Sequence, residues 1–114
     1  MLSVKEKGIL LYIINHCKRI EEKVTNLSKE EFDNSDDIKE IVCFNIFQIG
    51  ELVKNLSSEF LLKYNEMPWK DIKGMRDRVG HGYGTIDMNV IWKTATEDII
   101  QLRKYCEKII DEDK

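Results

Sequence analysis

Apolar residues recur at spacings of three and four along most of this chain, with charged residues between them. From about Val4 to Thr25, Leu10, Ile13, Ile14, Cys17, Ile20 and Val24 keep that rhythm, which marks one buried face of an amphipathic helix. Lys18, Arg19, Glu21, Glu22 and Lys23 fall largely on the other side. Ser28-Lys29-Glu30-Glu31 has the capping-box form, a hydroxyl followed three places later by a glutamate. Only Phe32 follows as an apolar anchor, so the spacing predicts a short turn of helix. Asn34-Ser35 then breaks it. Ser35 or Asp36 caps the next helix, whose first turn carries Asp36 and Asp37 at the positive end of the dipole.

That second long helix is expected from about Asp36 to Leu56. Ile38, Ile41, Val42, Asn45, Ile49, Leu52, Val53 and Leu56 form its main stripe, and Phe44, Ile46 and Phe47 widen the apolar arc. A helix apolar on more than one side needs a second neighbour, and in so short a chain another protomer is a candidate. Ser57-Ser58 interrupts, and Phe60, Leu61, Leu62 and Tyr64 suggest a short packed helix. Pro68 suits a helix start, so Trp69 to Arg78 reads as a further short helix. Gly80, Gly82 and Gly84 then lead the chain out of it around His81. The last helix is expected from Asp87 to about Asp111, with Val90, Ile91, Ala95, Ile99, Leu102, Cys106 and Ile109 as its buried stripe. No strand pattern of period two, repeat or low-complexity tract appears. The fold class is therefore all-α: an up-and-down helical bundle of three long and two or three short helices, one domain over residues 1–114.

Composition narrows the possible functions. With 42% hydrophobic and 34% charged residues, one proline and six glycines, the chain is neither collagen-like nor disordered. The net charge of −3 argues against sequence-blind coating of nucleic acid but leaves room for a local basic pocket. Cys17, Cys43 and Cys106 are widely spaced and form no C-x-x-C pair, so no zinc or redox motif is suggested. They read as reduced, mostly buried thiols of a cytosolic protein. The N-terminal segment lacks the apolar stretch of a signal peptide, and no apolar run is long enough to span a membrane. A cytoplasmic location is expected, with no membrane partner.

Chemistry concentrates in Met75-Arg76-Asp77-Arg78-Val79-Gly80-His81-Gly82-Tyr83-Gly84. From Lys70 to Tyr83 there are four basic side chains (Lys70, Lys73, Arg76 and Arg78) against Asp71 and Asp77, so this region is positive within an acidic protein. Guanidinium groups hold phosphates by charge-assisted hydrogen bonds. Histidine gives or takes a proton near neutral pH, and glycines let a substrate approach the backbone. These parts suit chemistry at a phosphodiester. On the residues alone, a solvated basic helix face, a loop histidine and a packing tyrosine remain an equally available reading.

The segment Arg76-x-x-x-x-His81-x-Tyr83 resembles the R-x4-H-x-Y signature of the HEPN superfamily, in its HepT-like branch. The likeness extends to Ile49-Gly50-Glu51 with Leu56-Ser57, to Pro68-Trp69 with Gly74-Met75-Arg76, and to Ile86-Asp87 and Trp92 beyond the motif. It covers most of the chain from Asp36 to Asp98. Two positions depart from the branch: Asp77 stands where asparagine is usual, and Gly80 where a small or aliphatic residue usually precedes the histidine. An aspartate beside a phosphate site needs pairing with Arg76, Arg78 or His81, and pairing with the histidine would raise its pKa.

The resemblance implies a HEPN-like, dimeric bundle and a metal-independent endoribonuclease toxin of a type VII toxin–antitoxin system, requiring no metal or cofactor. RNA would be cut by attack of the 2′-hydroxyl on the adjacent phosphate, leaving a 2′,3′-cyclic phosphate and a 5′-hydroxyl. Arg76 and His81 would be catalytic, supported by Asp77, Tyr83, Arg78 and Glu51. One histidine per site does not easily serve as both acid and base, and a homodimer would join two motif copies in one cleft. The implied partner is a minimal nucleotidyltransferase antitoxin of the MntA type, which would add AMP to Tyr83 and block the phosphate site. A non-catalytic HEPN accessory subunit, binding such a nucleotidyltransferase or a nucleotide, is the alternative. Glu51 has a second, favoured reading as a buried ion pair fixing two helices. His16 lacks the neighbours of a site and is expected at the surface or partly buried. Trp69 and Trp92 are expected as core or cleft walls.

Overall fold

Four serines and one aspartate set where most of the helices begin. Ser3 caps α1 (Val4–Val24), Ser28 caps α2 (Lys29–Asp33), Ser35 caps α3 (Asp36–Lys54) and Ser57 caps α4 (Ser58–Lys63). Each hydroxyl accepts a backbone N–H that the first turn would otherwise leave without a partner. Ser3 and Ser28 form full capping boxes with Glu6 and Glu31, as expected for Ser28. Pro68 precedes α5 (Trp69–Gly80), and Asp87 caps α6 (Met88–Lys93). A π-helical segment, Thr94–Asp98, joins α6 directly to α7 (Ile99–Glu112). This computed structural model describes residues 1–80 and 86–113, except the side chains of Asp77 and Arg78. Every regular element among the described residues is helical, as the hydrophobic periodicity predicts.

Helix α3 is the centre of the bundle, with α1 along one side and α5 along the other, while α7 packs on α1. The ties between helices show an up-and-down arrangement. Near the start of α1, Glu6 accepts from Ser57 at 3.2 Å, just beyond the end of α3. Midway, His16 Nδ1 and Asn45 Oδ1 are 2.8 Å apart. Helix α7 runs antiparallel to α1 as well. Arg103 donates to both carboxylate oxygens of Glu21 at 2.6 and 3.0 Å, and the Leu2 N–H donates to Asp113 at 2.8 Å. Buried side chains on the facing stripes fill the core: Leu10, Ile13 and Ile20 from α1, Val42, Ile46 and Ile49 from α3, Ile99 and Leu102 from α7, with Phe32 closing one end.

The wide apolar arc of α3 finds its second neighbour within the chain. Helix α5 covers it, leaving Phe44 exposed and Phe47 half-buried. Asn45, in the stripe, is buried but satisfied: its Oδ1 accepts from His16 Nδ1–H, and its Nδ2 donates to the Ile41 carbonyl at 2.8 Å. His16 is accordingly half-buried, within the surface or partly buried placement expected of it. Trp69 is in the core, and Trp92 lies half-buried against Phe32 with ring centroids 5.0 Å apart.

Three expectations need correction. Val90 is exposed, because its neighbour Ile91 takes the inward position. Leu62 is likewise exposed while Leu61 packs on the core. The last helix is not uniformly α-helical: the Ile99 N–H reaches the Thr94 carbonyl five residues back. Thr96 also returns its hydroxyl to the Trp92 carbonyl at 2.8 Å, a side-chain bond of the kind that loosens an α-helical ladder.

The three cysteines are free and buried. Burial pushes the Cys43 thiol up to about 11 and the Cys106 thiol to about 12, and raises Cys17 further. Because the thiolate is the reactive form, the native protein at neutral pH is expected to resist thiol reagents, with all three sites labelled only after denaturation. Rapid labelling of the native protein would contradict this packing.

Candidate active site between α3 and α5

Helix α5 is anchored at its start and aimed by that anchor. The Trp69 ring is buried, its Nε1–H donates to the Tyr64 carbonyl at 2.8 Å, and it packs against Phe60 and Tyr105. Ile72 enters the core one turn later, with Met75 and Val79 packed at its edge. This face fixes the helix rotation and directs Arg76 toward α3.

Arg76 meets α3 at Gly50. A Cβ placed on Gly50 would lie 2.2 Å from the Arg76 Cβ and 3.2 Å from its Cα, so only glycine permits this approach. The next residue, Glu51, accepts a hydrogen bond from Arg76 Nε through Oε1. One turn earlier on α3, the Phe47 ring lies with its centroid 5.5 Å from the guanidinium carbon, within cation–π range. Phe47, Gly50 and Glu51 follow the i, i+3, i+4 spacing of a single helix face. They form a seat with a ring, a gap and a carboxylate.

The side chains of Arg76 and Glu51 are each 35% exposed. A pair this accessible to water contributes only about 0–1 kcal/mol to stability. Its main consequence is orientation: an arginine that would otherwise sample many rotamers is held at the α3–α5 crossing. Glu51 bridges the two helices and contacts the arginine, but as a half-exposed pair and not as the buried ion pair expected of it.

Of the expected site residues, Arg76 and Glu51 are brought together. Asp77 and Arg78 belong to α5, but their side chains lie outside the described residues, as do His81 and Tyr83 entirely. In sequence, His81 directly follows the last residue of α5, five places after Arg76. Sequence reasoning missed the seat itself. Phe47 read only as extra apolar area, although its spacing to Glu51 was a usable signal. Lys70 and Lys73 are exposed on α5 and extend the positive region back from Arg76. Among the described residues no cluster of histidine, cysteine, aspartate and glutamate is arranged to hold a metal ion, and no helix is long and apolar enough to cross a membrane.

A helical bundle that holds the motif arginine at the α3–α5 crossing, with His81 five residues on in sequence, fits the HEPN-like resemblance. Comparison with known proteins agrees: a family model described as "Ribonuclease HepT-like" matches residues 13–109. The chain is 34% identical over 105 residues to "Putative RNase TTE0752" of Caldanaerobacter subterraneus subsp. tengcongensis, covering 92% of this chain and 94% of that protein. It is 36% identical over 105 residues to "Probable ribonuclease HepT" of Thermococcus cleftensis, covering 90% and 94%. No solved structure matches it. The chain belongs to the HepT-like ribonuclease family.

Proposed function

We propose that this protein is a metal-independent endoribonuclease acting as the toxin of a toxin–antitoxin pair. The observation that carries the reading is the seating of Arg76 by Glu51 and Phe47 at the end of α5, five residues before His81, in a chain of a ribonuclease family. Arg76 binds the scissile phosphate and stabilises the charge that builds on it in the transition state. His81 transfers a proton. The 2′-hydroxyl oxygen forms the new bond to phosphorus, its proton goes to a base, and the 5′-oxygen leaves and is protonated. The products are a 2′,3′-cyclic phosphate and a 5′-hydroxyl. Asp77 and Arg78 support the site, and Tyr83 lines it.

Two copies of the chain supply the acid and the base from paired motifs, in a two-fold dimer of the commonest kind. The exposed Phe44 on α3, beside the half-buried Phe47, suits such an interface. Regulation comes from a minimal nucleotidyltransferase partner. The Tyr83 oxygen attacks the α-phosphate of ATP, pyrophosphate leaves, and the resulting adenylate fills the phosphate site with bulk and negative charge.

The chemistry is tested by the ends of the cut RNA. Cleavage should persist in excess chelator and leave cyclic-phosphate ends. Chelator-sensitive cleavage leaving 5′-phosphates would replace this reading with a metal-dependent nuclease.

A further inference from the structure

The lysines behind Arg76 line a groove of their own. Between the end of α3, helix α4 and the start of α5 lies an open depression of about 430 Å³, bounded by Val53, Leu61, Leu62, Asn65, Lys70 and Lys73, with Met67, Pro68 and Trp69 completing its wall. No carboxylate lines it among the described residues, although the chain carries 21 acidic residues against 18 basic ones. Asp71, between the two lysines in sequence, lines a different groove on the other side of α5. Lys70, Lys73 and Arg76 succeed one another every three residues, so the positive charges rise along α5 toward the clamped arginine. At about 1.5 Å per residue, the row covers roughly 9 Å of helix.

We propose that this groove holds the single-stranded RNA flanking the scissile phosphate. Lys70 and Lys73 neutralise backbone phosphates, and the half-buried Leu61 with the exposed Leu62 accepts the face of an unpaired base. This rests on the ribonuclease reading above and extends it from the cut bond to its neighbours. The charge pattern selects an anionic strand. The apolar wall favours an unstacked base over a duplex, whose bases are turned inward.

The test compares the parent with Lys70→Glu/Lys73→Glu, and with Lys18→Glu/Lys23→Glu on α1 as a control for the same change in net charge. Binding of a fluorescent single-stranded RNA of about 16 nucleotides is followed in a His81→Ala background, so that cutting does not interfere. Cleavage of that RNA and of a dinucleotide is measured with His81 present. Both lysine positions are exposed, and thermal melting checks that each fold is kept. The groove variant should bind the longer RNA about tenfold more weakly. The steepness of its salt dependence should fall by about 1.4, or about 0.7 for each lost contact with a single strand. Its KM for the longer RNA should rise about tenfold more than its KM for the dinucleotide. Equal losses in the groove variant and the α1 control, or equal losses on long and short substrates, would overturn the proposal. So would unchanged RNA binding with loss of binding to the nucleotidyltransferase partner, which would make the groove a protein contact. A parent that binds RNA through these lysines but cuts nothing would sink the ribonuclease reading while leaving the groove in place.

Discussion

Gly50→Ala lowers the melting temperature and weakens RNA cleavage together, whereas Gly8→Ala raises the melting temperature. Alanine in a helix interior normally stabilises by about 0.5–1 kcal/mol relative to glycine. Gly8, on α1, has nothing within 4 Å of an added Cβ and should show that gain. At Gly50 the added atom would sit 2.2 Å from the Arg76 Cβ and 3.2 Å from its Cα. Neither atom moves by rotating a side chain, so α5 must shift away from α3. Overpacking of this kind costs about 1–3 kcal/mol, which exceeds the helical gain. A net loss of about 1–2 kcal/mol would lower the midpoint by roughly 4–16 °C at the scale of small domains. The same displacement draws Arg76 away from Glu51 and Phe47, so activity falls even at temperatures where the variant is folded. A Gly50→Ala protein as stable and active as the parent would show that the α3–α5 crossing is not as described.

Arg76→Ala reduces cleavage by about 10²–10³-fold, the range for losing one preorganised donor to the transition-state charge. Arg76→Lys recovers little, because a point charge on a flexible stem cannot reproduce a planar fork held from the Nε side. Glu51→Gln gives a smaller loss, about tenfold, since it loosens the arginine without removing it. Its effect on stability stays within about 1 kcal/mol, given the 35% exposure of both partners. In the Arg76→Ala background Glu51→Gln should do almost nothing further, because its role runs through the arginine. Independent, additive losses from the two substitutions would mean that Glu51 acts on something other than Arg76. Full activity in Arg76→Ala would remove the arginine from the mechanism.

Much of this architecture is legible in the sequence. The helix starts at Ser28 and Ser35 were readable because capping is local chemistry, settled by a hydroxyl and the next three residues. The stripes of α1 and α7 were readable because each helix buries one face. Helix α3 was harder. Its apolar arc signalled a second neighbour, but periodicity carries no information about which element supplies it, and α5 does so within the same chain. The π segment was invisible for a related reason: apolar spacing runs unbroken from Ile91 through Ala95 to Ile99 while the hydrogen-bond ladder changes beneath it. At the site, the motif arginine and its acidic helper could be named. The gap at Gly50 could not, because a glycine in a helix reads as a weak point until the neighbour that needs the space is known. Phe47 was hidden in the same way, as one apolar residue among many, until its distance to Arg76 gave it a role.

The central claim is that His81, with Arg76, cuts RNA without a metal. The most direct measurement is cleavage of mixed cellular RNA in excess chelator by the purified protein beside His81→Ala, with intact mass confirming that Tyr83 is unmodified. The parent should cut, and His81→Ala should be slower by about 10²–10⁴-fold, the contribution of a positioned proton donor or acceptor. Equal cleavage by both proteins would contradict the assignment of the histidine, and no cleavage by either would leave a subunit that binds a nucleotidyltransferase or a nucleotide without acting on RNA.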